Sequence, residues 1–138
     1  MRSRGWKALG LLAPILMMFA AAFSDAAPVD SAAAPIARAT SEHEGGYVAG
    51  NAIDGSKETR WASASGGVQS LEFDFGAAAT FGKVRIRWER AHASDYSIQT
   101  SGDGRTWATA VEKRGSRGGA EVIDCGGAVG RFMRVLCE

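Results

Sequence analysis

Apolar and polar positions alternate along short stretches of this chain, which is the pattern of β-strands that bury one face. Residues 71–75 read Leu-Glu-Phe-Asp-Phe, and residues 84–88 read Val-Arg-Ile-Arg-Trp. Further short strands are predicted at residues 96–100, 107–111, 122–123 and 132–136. Together these segments predict an all-β domain.

Turn signals separate the predicted strands, and glycine supplies most of them, since the chain has 18 Gly and only 3 Pro. Residues 102–104 (Gly-Asp-Gly) predict a tight turn, and residues 115–119 predict a basic, Gly-rich loop. Residues 126–130 predict a hairpin turn between the last two strands. Because no segment with helical periodicity is long enough to predict a helix, we expect a β-sandwich or a jelly roll.

The first 26 residues predict a secretory signal peptide. Basic residues open the segment, an uncharged apolar run occupies residues 8–23, and small residues precede the expected cleavage after Ala26. Cleavage after Ala22 is the alternative. A membrane anchor is the competing interpretation, but the run is shorter than the roughly 18 residues that a spanning helix needs. We therefore expect a secreted, extracellular or periplasmic protein.

Composition and charge limit what the exported part can do. A chain of 138 residues allows one domain, which we place at residues 36–138 after a flexible lead-in at residues 27–35. The formal net charge is +1, and it changes little when the signal peptide is removed. A surface this close to neutral has no basic face for nucleic acid, so no nucleic-acid partner is expected.

The chain has two cysteines, Cys125 and Cys137, and the sequence leaves two alternatives, a disulfide between them or two free thiols. An exported chain can form one. If residues 126–130 make a hairpin turn, however, Cys125 lies opposite about Arg131, and Cys137 lies well down the other strand. A direct bridge would then require a different path for the chain.

Several short segments, taken in order, resemble one family. Residues 51–55 (Asn-Ala-Ile-Asp-Gly) and 59–63 (Thr-Arg-Trp-Ala-Ser) are followed by similar segments at 71–76, 84–99, 101–107 and 127–135. The set is similar to discoidin domains, also called coagulation factor 5/8 type C domains, and to family 32 carbohydrate-binding modules. This resemblance implies an antiparallel jelly-roll β-sandwich of the galactose-binding kind, whose loops at one end bind a ligand, most often a glycan. Family members continue past the position of Glu138, so the resemblance also implies that the final strand is missing.

The resemblance further implies a structural calcium ion at Asp54, Ser56 and Thr59. Hard oxygen ligands on a turn are what calcium prefers, and it takes about six to eight of them. The family's Glu from the C-terminal segment has no counterpart here, so the site is expected to be incomplete. The alternative is that Asp54 and Gly55 form an ordinary turn in which the Asp bonds its own backbone.

Five residues are the candidates for binding a glycan: Glu44, Tyr47, Glu89, Arg90 and His92. Relatives place an acidic and an aromatic residue in the loop after the first strand, where Glu44 and Tyr47 lie. A sugar site needs an aromatic face and a few planar polar groups, which these residues supply. The alternative is that Glu89 and Arg90 are a solvated pair and that His92 caps a turn.

Trp61, Trp88 and Trp107 are a second source of aromatic faces, but we expect all three to be packed inside. Trp88 is in phase with the apolar positions of its strand, and Trp107 follows a tight turn at the start of another. Trp61 is expected to pack beneath the predicted calcium loop.

No catalytic constellation is present, so the chain is not expected to be an enzyme. The only two histidines are His43 and His92, no Gly-x-Ser-x-Gly motif occurs, and His and Cys are too few for zinc. The sequence predicts a secreted, non-catalytic carbohydrate-binding module that holds a neutral or uronic sugar. A cell-surface adhesion domain and the remnant of a larger secreted glycoside hydrolase are the alternatives.

Overall fold

The computed structural model describes residues 34–138, which form a nearly all-β domain. Its five strands are β1 (Ile36–Ala39), β2 (Gln69–Arg87), β3 (Tyr96–Ser101), β4 (Ala108–Lys113) and β5 (Ala120–Cys137). A single turn of 3-10 helix, Ala49–Ala52, lies between β1 and β2. The predicted signal peptide and most of the predicted lead-in lie outside the described residues. Nothing in the described part forms a helix long and apolar enough to cross a membrane.

All strand pairs are antiparallel, and the strand order is β1-β2-β5-β3-β4. The long strands β2 and β5 pair along most of their length, first at Leu71 with Val135 and later at Val84 with Ile123. Register shifts interrupt this pairing between Asp74 and Ala79. The strands are antiparallel throughout, and the predicted antiparallel β-sandwich of the galactose-binding kind is confirmed.

Two details of the strand prediction are wrong. The segments predicted separately at 71–75 and 84–88 belong to one strand, β2, and β5 runs through the predicted hairpin at 126–130. Gly126 and Gly127 have φ of 62° and 78°, which is the left-handed conformation that glycine tolerates. Here that conformation bends the strand without reversing it, because β2 stays paired on both sides of the bend.

The alternating pattern is confirmed where it was clearest. Leu71, Phe73, Val84 and Ile86 are buried, while the polar residues between them face outward or are only half-buried. Their side chains join those from β3 and β5 in one core. Burial of this apolar surface is the main source of stability for such a fold.

Three connecting segments meet at one end of the sandwich, and we call them the loop end: residues 40–68, 88–95 and 114–119. The register explains why, since Cys137 lies opposite both Gln69 and Tyr96. The start of β2, the start of β3 and the end of β5 are therefore neighbours. Segments 40–68 and 88–95 end at these strand starts, and segment 114–119 begins after Lys113, which lies opposite Tyr96.

Cys125 and Cys137 are both buried, and both are free thiols. They lie on the same strand, β5, on the side that faces the core. Burial raises the pKa of the Cys137 thiol to about 12.

Candidate functional site

The first wall of the loop end is a tight loop that carries His43, Glu44 and Tyr47. His43 and Tyr47 form an isolated antiparallel bridge, and the reversal between them uses Gly45 and Gly46 at φ of 93° and 90°. Ala62 ties this loop to the chain that follows: its carbonyl accepts the His43 N–H (2.7 Å), and its N–H donates to the Tyr47 carbonyl (3.2 Å). The backbone thus holds the Tyr47 side chain at a defined place.

Aromatic and cationic side chains gather on this loop. The Arg60 guanidinium lies 4.7 Å from the centroid of the Tyr47 ring, and its Nη2 donates to the Tyr47 hydroxyl at 3.4 Å. The His43 ring meets the Tyr47 ring edge-on, with centroids 5.8 Å apart. Asn51 Nδ2 donates to the carbonyls of Gly46 (2.8 Å) and Arg60 (3.1 Å). Together these side chains make a braced aromatic surface at the loop end.

The second wall is the loop at residues 88–95, which carries Glu89, Arg90 and His92. Arg90 is exposed, and Glu89 and His92 are half-buried. The Arg90 N–H donates to Glu89 Oε2 at 3.4 Å. His92 Nδ1 lies 3.1 Å from the Arg90 carbonyl, so this histidine is engaged by backbone groups.

A mostly buried carboxylate, Glu121, lies at the base of this second wall. Its Oε2 accepts the Trp88 Nε1–H and the Tyr96 hydroxyl, each at 2.7 Å, and Lys113 Nζ lies 3.7 Å from Oε1. Burial raises the pKa of Glu121, but hydrogen bonds from Tyr96 and Trp88 outweigh it, so the net pKa is lowered. The carboxylate therefore stays ionised and links β5, β3 and the end of β2.

The five candidate ligand residues thus lie on two separate segments of the loop end. Glu44 and Tyr47 lie on one loop, and Glu89, Arg90 and His92 lie on another. Sequence reasoning did not select Arg60, His43, Asn51 or Glu121. The sequence signal for Arg60 was its position in the Thr-Arg-Trp segment, where a long, positively charged side chain directly precedes a tryptophan that is expected to be buried.

Asp54, Ser56 and Thr59, the predicted calcium ligands, form a compact turn. Asp54 Oδ1 accepts the Ser56 N–H (2.8 Å), and Asp54 Oδ2 accepts the Thr59 hydroxyl (2.5 Å). The Thr59 hydrogen bond, followed by that from Ser56, lowers the pKa of Asp54. Across residues 34–138, no three or more His, Cys, Asp or Glu side chains gather as a metal site. The turn offers hard oxygens with one carboxylate, so its donor set fits calcium only weakly.

The three tryptophans differ in how deeply they are buried. Trp61 and Trp88 are buried, as expected, and Trp61 Nε1 donates to the Ser41 carbonyl at 3.0 Å. The expectation that Trp107 is packed inside is wrong, because it is half-exposed and the Arg134 guanidinium lies 4.2 Å from its ring centroid. Trp107 directly precedes the edge strand β4, where only one neighbouring strand is available to cover it.

Comparison with known proteins gives one family. The family model "NedA-like, galactose-binding domain" of the F5/F8 type C group matches residues 51–135. No curated protein gives a significant match.

Solved structures of similar fold come from carbohydrate-binding modules. Chitosan-binding module 1 of a chitosanase/glucanase from Paenibacillus sp. IK-5 is 34% identical, with a TM-score of 0.72 over 77% of this chain and 83% of that one. Module 2 of the same enzyme, in complex with chitotriose, is 29% identical, with a TM-score of 0.70 over 77% and 85%. The CBM32 of AlyQ, in complex with 4,5-unsaturated mannuronic acid, is 26% identical, with a TM-score of 0.63 over 74% and 80%.

Proposed function

The chain belongs to the F5/F8 type C family of NedA-like galactose-binding domains, and we propose that it is a non-catalytic module that holds a glycan at its loop end. The resemblance drawn from the sequence is confirmed, and the chain is homologous to carbohydrate-binding modules. Glycan binding by this chain follows from that homology as a proposal.

The observation that carries the proposal is the braced Tyr47 ring. An aromatic ring held by Arg60 can pack against the apolar face of a pyranose without first being ordered. The carboxylate of Glu44 on the same loop, and Glu89 and Arg90 on loop 88–95, are the groups we propose for hydrogen bonds to sugar hydroxyls. One aromatic face with a few convergent polar groups is the usual composition of a small-ligand site.

We favour an amino sugar, of the kind found in chitosan, over the neutral or uronic sugar expected from the sequence. The relatives at 34% and 29% identity are named as chitosan-binding modules. Glu44 is exposed and Glu89 is half-exposed. Carboxylates at such positions form charge-assisted hydrogen bonds with the ammonium group of glucosamine.

The test is calorimetric titration of residues 27–138 with chitotriose, galactose and a mannuronic acid oligosaccharide. We expect chitotriose to bind most tightly, and Tyr47→Ala and Glu89→Gln to weaken that binding. Thr109→Ala, an exposed change on β4 away from the loop end, is the matched control and should bind as the unchanged protein does. Absence of binding to every sugar by folded protein would overturn the proposal and favour an adhesion domain with a protein partner.

Export is part of the same proposal, because polysaccharides of this kind lie outside the cell. It rests on the predicted signal peptide at residues 1–26. Fractionation of cells that express the full chain tests it, with the mass of the exported protein reporting cleavage after Ala26 or Ala22. A protein that stays in the cytoplasm with its first residues intact would contradict export while leaving glycan binding open.

A further inference from the structure

Two loops of the loop end are fastened to each other through their backbones. The Trp88 N–H donates to the Gly119 carbonyl at 2.8 Å, and the Ser116 N–H donates to the Ser94 carbonyl at 2.7 Å. Loop 88–95 carries Glu89, Arg90 and His92, and loop 114–119 carries none of the predicted ligand residues. The position of Glu89 and Arg90 thus depends on how firmly the second loop holds the first.

His92 lies between the two loops, and both of its ring nitrogens face backbone carbonyls. Nδ1 is 3.1 Å from the Arg90 oxygen, and Nε2 is 3.2 Å from the Ser116 oxygen. The ring also lies against Gly118, where an added Cβ would come within 2.7 Å of Nδ1. Gly118 has a φ of 73°, so both space and backbone conformation favour glycine there.

This geometry distinguishes the two protonation states of the imidazole. A neutral ring has one N–H donor and one acceptor nitrogen, so it can satisfy only one of the two carbonyls. The other nitrogen then directs its lone pair at an oxygen. A protonated ring donates from both nitrogens and satisfies both carbonyls with charge-assisted hydrogen bonds.

We propose that His92 is a positioning residue whose protonation fastens loop 88–95 to loop 114–119 and so presents Glu89 and Arg90 to the glycan. This proposal rests on the proposed function for its last clause only. Ordering a loop before the ligand arrives reduces the entropy lost on binding, so glycan affinity should be higher at about pH 5 than at about pH 7.5.

Other charged groups lie on the elements around His92. The Glu121 carboxylate accepts the Trp88 Nε1–H, and the Trp88 ring centroid lies 6.5 Å from that of His92. Arg114 is held by carboxylates of Glu112 and Glu138. The charged residues on the elements packed against His92 are Glu89, Arg90 and Asp95 on its own loop, Arg114 and Arg117 on the facing loop, and Glu121 on β5.

The first experiment needs no glycan. Amide hydrogen exchange at Trp88 and Ser116, which donate the two bonds between the loops, is measured at about pH 5 and about pH 7.5, on either side of the usual histidine pKa. After correction for intrinsic exchange rates, we expect protection at the lower pH to be about threefold or more higher. His92→Gln should lose this dependence on pH, and His43→Gln, which changes the other histidine, should keep it.

The second experiment compares chitotriose affinity at the same two pH values in the unchanged protein and in His92→Gln, because His43 lies beside Tyr47 in the proposed glycan surface. Titration of the sugar's own amino groups affects both proteins equally, so only the difference between the two proteins is interpreted. If His92→Gln does not fold, ¹⁵N spectra of the ring in the unchanged protein report whether both nitrogens carry hydrogen at about pH 5, where free histidine is protonated. The proposal is overturned if one of the two His92 ring nitrogens carries no hydrogen at that pH. It is also overturned if the amides of Trp88 and Ser116 show the same dependence of protection on pH in all three proteins. Loss of sugar binding with the loop effect intact would refute the proposed function alone.

Discussion

The Arg60 guanidinium lies over the Tyr47 ring, 4.7 Å from its centroid, and its Nη2 also approaches the phenol oxygen at 3.4 Å. Arg60 thus braces Tyr47 by a cation–π contact and a weak hydrogen bond at once. Its Nε is buried and has no hydrogen-bond partner among residues 34–138. A buried donor without a partner is uncommon in folded proteins.

Loss of the brace should weaken sugar binding more than it weakens the fold. We expect Arg60→Ala to reduce chitotriose affinity by about tenfold, equivalent to about 1.4 kcal/mol, because Tyr47 must then be ordered by the ligand. Tyr47→Phe keeps the ring and should cost little, whereas Tyr47→Ala should cost more than Arg60→Ala. Calorimetric titration measures the affinities, and equal binding by Tyr47→Ala and the unchanged protein would contradict a role for this ring.

Glu121 should matter for stability, because three elements share its carboxylate. In Glu121→Ala, the Trp88 Nε1–H and the Tyr96 hydroxyl lose their acceptor in a site largely closed to water. Leaving two such donors unsatisfied should lower the free energy of unfolding by about 2–4 kcal/mol. Urea unfolding measures the change. Glu112→Ala is the control, since its ion pair with Arg114 is exposed and should contribute little to stability.

Acid should destabilise the domain partly through Asp74. The Arg131 side chain donates to both carboxylate oxygens, at 2.8 and 2.9 Å, and this bond lowers the pKa of Asp74 from 3.8 to about 2. A carboxyl whose pKa is lower in the folded state adds stability above its unfolded pKa and loses it as pH falls through the folded value.

The contribution of Asp74 is therefore present above about pH 4 and is lost between about pH 4 and pH 2. Urea unfolding across this window measures the loss. Asp74→Asn should unfold more easily near neutral pH and show a smaller fall in stability on acidification. An acid transition that is identical in both proteins would show that the Arg131 pair does not contribute.

Calcium should stabilise the domain only weakly. The turn at Asp54 offers a single carboxylate, already bonded to Ser56 and Thr59. We therefore expect the melting temperature to rise only at calcium concentrations of about 1 mM, as in low-affinity extracellular modules. A chelator should then have no effect on protein prepared without calcium. Asp54→Ala should abolish any rise, and stabilisation at micromolar calcium would contradict this prediction.

The two thiols should be protected by burial and not by a bridge. Cys125 and Cys137 are buried and free, and burial raises the pKa of the Cys137 thiol to about 12. An alkylating reagent at about pH 8, near the usual pKa of cysteine, should modify both thiols slowly in native protein and rapidly in urea. Reductant should leave the melting temperature unchanged. Rapid labelling of either cysteine in the native state would contradict the burial described here.

The sequence determined the family, the strand faces and most of the core. The alternation at 71–75 and 84–88 depends only on the two-residue period of a strand, so it correctly separates buried Leu71 and Phe73 from polar Glu72. The loop segments that carry Tyr47 and Glu89 could also be named in advance. The loop that carries Glu89 follows a strand that the pattern identifies, whereas the loop that carries Tyr47 was identified from the family resemblance.

Only the tertiary structure decided how these pieces meet. Gly126 and Gly127 signal a turn in the sequence, but pairing with β2 on both sides makes them a bend within β5. The approach of Arg60 to Tyr47, and of His92 to Ser116, depends on loops that meet because distant strands align in register. Such contacts follow from long-range pairing, which a local pattern of residues does not encode.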